Sequence, residues 1–298
     1  MRKYVVLTDS GCDLEKDFRD QYKIDYLPMH IALDGVSYEA DLDWNHHPAK
    51  EYYQIMRDGK RFTSSLVNFS QFTAAFEEYA KQGVDVLYVG TSSRISSSVI
   101  EAKKAADQFL KEHPDMKIYC VDSLRSCFAL GMLVIRACEL RDEGKPIEEN
   151  YAWLEENKNT VNMVGTVDKL TWLRLAGRVS ATKAFFGALF NVKPIIIADA
   201  IGQNFAVEKV KGRRNSLLRL AEKAKESFID VPYQRLFICH ADCYDEAEEL
   251  KNMVYEALGR NDLPVYIGWV GPGVGSAVGP GMIAVFCYGK KVTENQPE

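Results

Sequence analysis

VDVLYVGTSSRISSSVIEAKKAADQFLKEHPDMKIYCVDS, residues 84–123, contains two apolar runs separated by a segment with a helical repeat. Val84–Gly90 and Lys117–Ser123 are short and rich in β-branched and aromatic residues, the composition of strands buried on both faces. Between them, Ser96–Lys111 repeats apolar residues at three- and four-residue spacing, which predicts an amphipathic helix. Strand, helix and strand at this length make a parallel crossover unit. YVVLT (4–8) adds a third strand, and the same spacing predicts helices over Asp13–Tyr22, Ser70–Lys81 and Arg125–Arg141. The first half is therefore read as a parallel sheet covered by helices.

IDYLPMHIALDGVSYEA (24–40) alternates around Asp34-Gly35 and reads as a small hairpin covering one edge of that unit. Hydrophobicity drops around Gly144-Lys145-Pro146 and ENKNT (156–160), which places a boundary near residue 159. Residues 1–158 are expected to form an N-terminal α/β domain, and residues 159–298 a C-terminal α+β domain with a mixed sheet. In the second half VNMVGTV (161–167) is followed by two short helices, then KPIIIAD (193–199) and AVEKVKG (206–212) about an Ile201-Gly202-Gln203 turn. A long helix, RLFICHA (235–241), another helix and a terminal strand pair complete it. Val265–Gly289 is uncharged and long enough to span a bilayer. Its seven glycines and two prolines are incompatible with a helix in lipid, so it reads as VYIGWV strand, GPGVGSAVGPG loop (271–281) and MIAVFCY strand.

The 298 residues are 47% hydrophobic and 27% charged, the balance of a globular chain. Lys and Arg number 37 against 42 Asp and Glu, a net charge of −5 that lacks the basic footprint of nucleic-acid binding. Seven widely spaced cysteines in apolar stretches read as reduced thiols, and no signal peptide is apparent, which points to the cytoplasm. CHADC (239–243) invites a metal, but no second ligand pair stands at zinc-site spacing, so none is expected.

Hydroxyls concentrate at Thr63-Ser64-Ser65 and at 91–98, where six of eight residues carry one. The second run lies at a strand-to-helix junction, where parallel sheets present ligands. It reads either as an anion site of neutral donors or as helix capping plus a solvated loop. Asp9 and Asp122 close two strands as catalytic or metal-binding carboxylates, or as caps. The glycine-rich loop is read as ligand-facing or as a tight connection. Lys209, Lys211, Arg213, Arg214 and Arg219 form the one basic cluster, a solvated strand end or a docking patch. Five histidines stand in no hydrolase signature.

In order along the chain, VLTDSGCDL, TSSLVNFSQF, SSRISSSVIEA, VDSLRSCFALG, DKLTWLRLAGRVS with LFNVKPII, KVKGRR and GPGVGSAVGPG resemble the DegV family. These are bacterial fatty-acid-binding proteins that serve as the lipid-presenting subunit of fatty acid kinase. The resemblance covers nearly the whole chain. It implies two α/β lobes with an acyl chain between them and its carboxylate held by hydroxyls. By position the carboxylate site comprises Thr63, Ser64, Ser96 and Ser97, supported by Arg178, with Ser276 and Ala277 on the glycine loop. Phe185, Phe186 and Leu189 of SATKAFFGALF become acyl-chain lining, and serve equally well as plain core. The family places a histidine where this chain has Ala277, and Ser276 is the substitute donor. Implied partners are a long-chain fatty acid and a separate kinase subunit, with no cofactor and no catalytic residue. The rival reading is a small-molecule enzyme using Ser96 or Asp9.

Overall fold

The computed structural model describes residues 3–180 and 191–296. The first half contains β1 (Tyr4–Asp9), α1 (Lys16–Tyr22), β2 (Asp25–Leu27), β3 (His30–Leu33), β4 (Val36–Glu39), α2 (Ala49–Arg57), β5 (Thr63–Ser65), α3 (Phe69–Lys81), β6 (Asp85–Gly90), α4 (Ser98–Glu112), β7 (Ile118–Asp122), α5 (Phe128–Asp142) and α6 (Ile147–Asn157). The second contains β8 (Val161–Thr166), α7 (Leu170–Ala176), β9 (Val179–Ser180), β10 (Val192–Ala198), β11 (Asn204–Lys211), α8 (Arg213–Ser227), β12 (Leu236–His240), α9 (Tyr244–Leu258), β13 (Val265–Trp269), α10 (Pro272–Val278) and β14 (Ile283–Tyr288).

β2, β1, β6 and β7 lie side by side in that order as an all-parallel sheet. Its fully buried strands are the apolar runs legible in the sequence. The 24–40 segment divides its work. Asp25–Leu27 extends the parallel sheet at its edge, while β3 and β4 form the hairpin, joined by β5. Asp34 and Gly35 both take positive φ (51° and 85°), as the tight turn between right-twisted strands requires.

The second half builds a seven-stranded mixed sheet in the order β13-β12-β14-β8-β10-β11-β9. The two terminal strands are not paired with each other, because β12 runs between them, parallel to β13 and antiparallel to β14. The connection that looked like a glycine loop is helix α10, with Pro272 at its first position, where a missing N–H costs nothing. Of the two short helices expected after β8, α7 is observed; the second falls on residues 181–190 and lies outside the described residues, as do Phe185, Phe186 and Leu189.

α5 starts at Phe128 rather than Arg125 and has no polar face: eleven of its fifteen residues are buried. It packs against β1 and β6 on one side and β8, β12 and β14 on the other. One apolar core therefore runs from Val6 and Leu87 through Leu133 to Phe286, and a second lies between the mixed sheet and helices α8 and α9.

Arg125, in the loop before α5, is fully buried. Its Nε donates to the Val161 carbonyl (2.7 Å), Nη1 to those of Leu124 (2.7 Å) and Asp199 (3.1 Å), and Nη2 to Asn159 Oδ1 (3.0 Å). Burial pushes its pKa down to about 10, which still leaves the guanidinium charged at neutral pH. Because the fork ties two segments of the second half, 159–161 and Asp199, to the end of β7, Arg125→Met is expected to destabilise the protein by about 3 kcal/mol or more through orphaned acceptors. Urea unfolding measures this; Lys, a single-point donor, should recover only part, and a loss below about 1 kcal/mol would refute the clamp.

Candidate functional site

A cavity of about 510 Å³ opens between the two sheets, within the range of roughly 300–1,000 Å³ typical of small-molecule sites. Four pieces of chain wall it: the hydroxyl loop between β6 and α4, the end of β5, the turn after α7 and one face of α10. Seven hydroxyl residues line it (Ser64, Ser65, Thr91, Ser93, Ser96, Ser97, Ser126), together with Arg94 and Arg178. Among the described residues no Asp, Glu or His lines it.

The hydroxyl loop resolves the two readings of its sequence. Thr91 donates to Asp9 (2.6 Å), Ser92 to the Gly202 carbonyl (2.7 Å), and Ser98 accepts from the Val67 amide (3.0 Å), so three hydroxyls hold the fold. Of the others, Ser96 accepts from the Ser98 amide at the first position of α4 (3.3 Å), while Ser97 makes no side-chain capping bond. Ser93, Ser96 and Ser97 remain on the cavity wall, Ser96 sharing a 2.8 Å hydrogen bond with Ser98.

Asp9 is fully buried and accepts from Gly11 N (2.9 Å), Thr91 N (2.8 Å), Thr91 Oγ1 and the Tyr88 hydroxyl (2.7 Å). Burial raises its pKa against those hydrogen bonds. With its oxygens engaged by four donors it ties β1 to β6 and offers no free lone pair to a substrate. Asp122 serves its own turn, accepting from Ser93 N and Leu124 N (both 3.2 Å).

α10 is pinned from α2, where the Tyr52 and Tyr53 hydroxyls donate to the carbonyls of Pro272 (2.8 Å) and Val270 (2.6 Å). A Cβ at Gly275 would come within 2.6 Å of the Tyr53 oxygen, so that glycine lets the helix approach. The helix thereby turns Gly273, Val274, Ala277 and Val278 to the cavity. Ser276 faces away and donates to the Gly273 carbonyl (2.8 Å). Thr63 is likewise off the wall: it is exposed, while its neighbours Ser64 and Ser65 reach the cavity.

Arg178 lines the cavity and donates to the Ala176 carbonyl. Arg94, inside the serine run, is a second cation on the wall, with no ion pair among the described residues. Sequence reasoning missed it, although a lone arginine amid six hydroxyls was the available signal. A separate small pocket of about 30 Å³ shares Ser126, Leu173, Asn204, Val274 and Val278 with the cavity wall and is otherwise lined largely by apolar residues, among them Cys127, Met163, Ile196, Met282 and Phe286. The cavity is thus polar and cationic, and the small pocket beside it apolar.

The basic cluster of the sequence is largely neutralised: Arg213 pairs with Glu246 (2.7 Å), Arg214 with Glu249 (3.3 Å), and Arg219 with Glu208, Glu222 and Glu226. Among the described residues no His, Cys, Asp and Glu group is arranged to hold a metal, and no helix is long and apolar enough to cross a membrane.

The molecule is a mixed α/β protein in which a parallel sheet and a mixed sheet flank a cavity whose described lining carries hydroxyls and arginines and no acid. The model of the DegV family of uncharacterised proteins matches residues 3–290, and the chain belongs to that family. A DegV domain-containing protein of Clostridium perfringens is 36% identical over 289 residues, covering 97% of this chain and 98% of its own. Among solved structures, a protein described as a DegV fatty-acid-binding protein from Bacillus subtilis is 26% identical with a TM-score of 0.81, covering 97% of this chain and all of that one. A DegV family protein from Thermus thermophilus, described by its fatty acid binding, gives a TM-score of 0.85 at 24% identity, with 97% and 100% covered.

At the start of α10 lies Asp13, 2% exposed, whose carboxyl is met only by the Gly271 amide and the Cys127 thiol, neither in close hydrogen-bond geometry. Burial raises its pKa to about 8. The folded state therefore holds a proton that the unfolded chain releases near pH 4, so stability falls as pH rises between about 4 and 8, by up to about 1.4 kcal/mol per unit from this group. Asp9 pushes in the same direction. Thermal melts of the wild type should fall from pH 5 to pH 8, and Asp13→Asn should flatten the slope; an unchanged slope would show that Asp13 is ionised throughout.

Proposed function

We propose that this protein binds a long-chain fatty acid between its two lobes, residues 1–158 and 159–298, and presents the carboxylate to a separate kinase subunit in the cytoplasm. The observation that carries this reading is a cavity wall of hydroxyls and arginines with a small apolar pocket beside it. Each buried methylene contributes about 0.8 kcal/mol, so a long chain supplies the affinity. Its carboxylate needs partners, because burying it bare costs several kcal/mol.

Ser64, Ser96 and Ser97 are the hydroxyl donors in this reading, and Arg178 with Arg94 supplies the countercharge. Thr63 and Ser276, assigned to the carboxylate by resemblance, support their neighbours in β5 and α10 instead. Ala277 leaves room on the wall where the family carries a histidine, and the arginines take the compensating role. Leu173, Val274, Val278, Met282 and Phe286 form the described part of the acyl wall; Phe185, Phe186 and Leu189 extend it by resemblance. In this reading the protein contributes binding and presentation alone, and the phosphoryl chemistry belongs to the partner. The bound fatty acid takes the place of a cofactor. The solved relatives whose descriptions name fatty acid binding, stearic acid in that from Eubacterium ventriosum, share the fold at TM-scores above 0.8 and support the choice of ligand.

Native mass spectrometry of protein prepared gently from bacterial cells should reveal a retained fatty acid. Ala277→Trp, which fills the cavity, should empty it, and Ser96→Ala combined with Arg178→Gln should weaken oleate binding about ten- to a hundredfold, the value of one charge-assisted hydrogen bond. An empty wild-type protein that also takes up no oleate would overturn the reading.

A further inference from the structure

A second cleft, of about 660 Å³, lies at the carboxyl ends of the adjacent parallel strands β12 and β13, and shares no residue with the lipid cavity. That edge is where parallel strands leave room for ligands. Its floor is made by His240 and Trp269, register partners at the last positions of the two strands, with ring centroids 4.5 Å apart. Tyr244, at the start of α9, meets the imidazole edge-on at 5.5 Å.

His240 is 2% exposed, and its Nδ1 has no hydrogen-bond partner. Native structures pair such buried groups almost without exception, and leaving one unpaired costs about 1–3 kcal/mol. An orphaned imidazole on the floor of a cleft therefore marks a place where an incoming group completes the hydrogen bond.

The surrounding charges say which group. Four carboxylates, those of Glu15, Asp242, Asp245 and Glu246, face a single ammonium, Lys50. Arg57 ties Asp242, and Arg213 ties Glu246 through two bonds (3.0 and 2.7 Å). Glu15 accepts from the Trp269 amide (3.2 Å), and Asp245 is exposed with no ion pair among the described residues. The uncompensated balance is negative.

We propose that this cleft is a second binding site that takes a small organic cation bearing N–H donors, an alkylamine or a guanidinium compound. The N–H donates to the imidazole, the positive charge faces Asp245 and Glu15, and the body lies against the indole of Trp269, whose ring face attracts cations. Burial pushes the His240 pKa down to about 4, so the ring is neutral at physiological pH: it does not repel a cation, and one of its nitrogens is an acceptor. A metal ion fits less well, because among the described residues no ligand group of the required size converges there.

Agmatine and putrescine are suitable probes, added to intact protein whose histidine rings carry a ¹⁵N label. The His240 ring signals should shift and saturate with agmatine, and sodium acetate at equal concentration should leave them in place. His240→Gln should weaken agmatine binding at least tenfold by calorimetry. Asp245→Asn, an exposed substitution that spares the core, should weaken it several-fold. Fatty acid content of both variants, read by native mass spectrometry, should match the wild type, which separates loss of this site from loss of the fold. His240 signals unmoved at about 10 mM of either amine, or affinities unchanged in Asp245→Asn, would overturn the proposal.

Discussion

A helix without a polar face has to be covered on every side, and α5 imposes that demand on the whole molecule. Phe128–Ile135, two full turns, is apolar and buried in every direction, and charge enters only from Arg136 onward. One sheet covers half of a helix; the parallel sheet covers α5 from β1 and β6, and the mixed sheet from β8, β12 and β14. The two halves of the chain therefore share a core, with Phe128 packed against Phe237 and Phe286 of the second half. The cavity lies where that filling stops. Ser126, just ahead of the helix, lines it, and Ser126 with Cys127 lines the small apolar pocket beside it, where residues of α7 and α10 complete the wall.

The walls of that space are held by polar groups buried at the strand ends. Asp9 gathers four donors from three residues, so the loop leaving β6 starts in a fixed direction. Ser92 then fixes the loop to the Gly202 turn of the other half, and Ser98 fixes it to Val67. Three hydroxyls are consumed in making the loop rigid, and for that reason the three that remain are presented rather than mobile. Preorganised donors lose little entropy when a ligand arrives, which is what allows uncharged alcohols to hold an anion.

The parallel sheet and its crossover helices were legible because buried parallel strands are apolar runs and their helices have a clear period. The order of the last three strands was not. Pairing of distant segments leaves no local mark, so β12 entering between β13 and β14 could only be seen in the fold. The glycine-rich segment misled for a different reason. Its glycines suggest a loop by propensity, but Gly275 is set by contact with Tyr53, a residue more than 200 positions away. Among the candidate site residues, position along the strand decided the outcome: Ser64 and Ser65, toward the end of β5, reach the cavity, while Thr63 at its start does not. Likewise on α10 Ala277 faces the cavity and Ser276 bonds to its own helix. The serine run does reach the cavity wall, but its division between structure and wall depended on partners in three separate places in the chain.

The two clefts carry opposite charge, and the chain keeps them apart with aromatic rings. Trp44, Tyr53 and Trp269 pack together with centroids 6.1–6.3 Å apart, at the junction from which α10 departs. Trp269 floors the acidic cleft, and four residues later Gly273 lines the cationic cavity. Aromatic surface of this kind excludes water, and a low-dielectric wall weakens neither field by hydration. Arg94 and Arg178 therefore act on the cavity mouth with no carboxylate among the described lining residues to oppose them, while Asp245 and Glu15 act on the other cleft. A carboxylate ligand entering the cationic mouth gains by that separation, since an acid from the second cleft exposed on the same wall would cancel one arginine. In the fatty-acid reading the hydroxyl loop sets the geometry of the bound carboxylate, and the aromatic partition preserves the charge that draws it in.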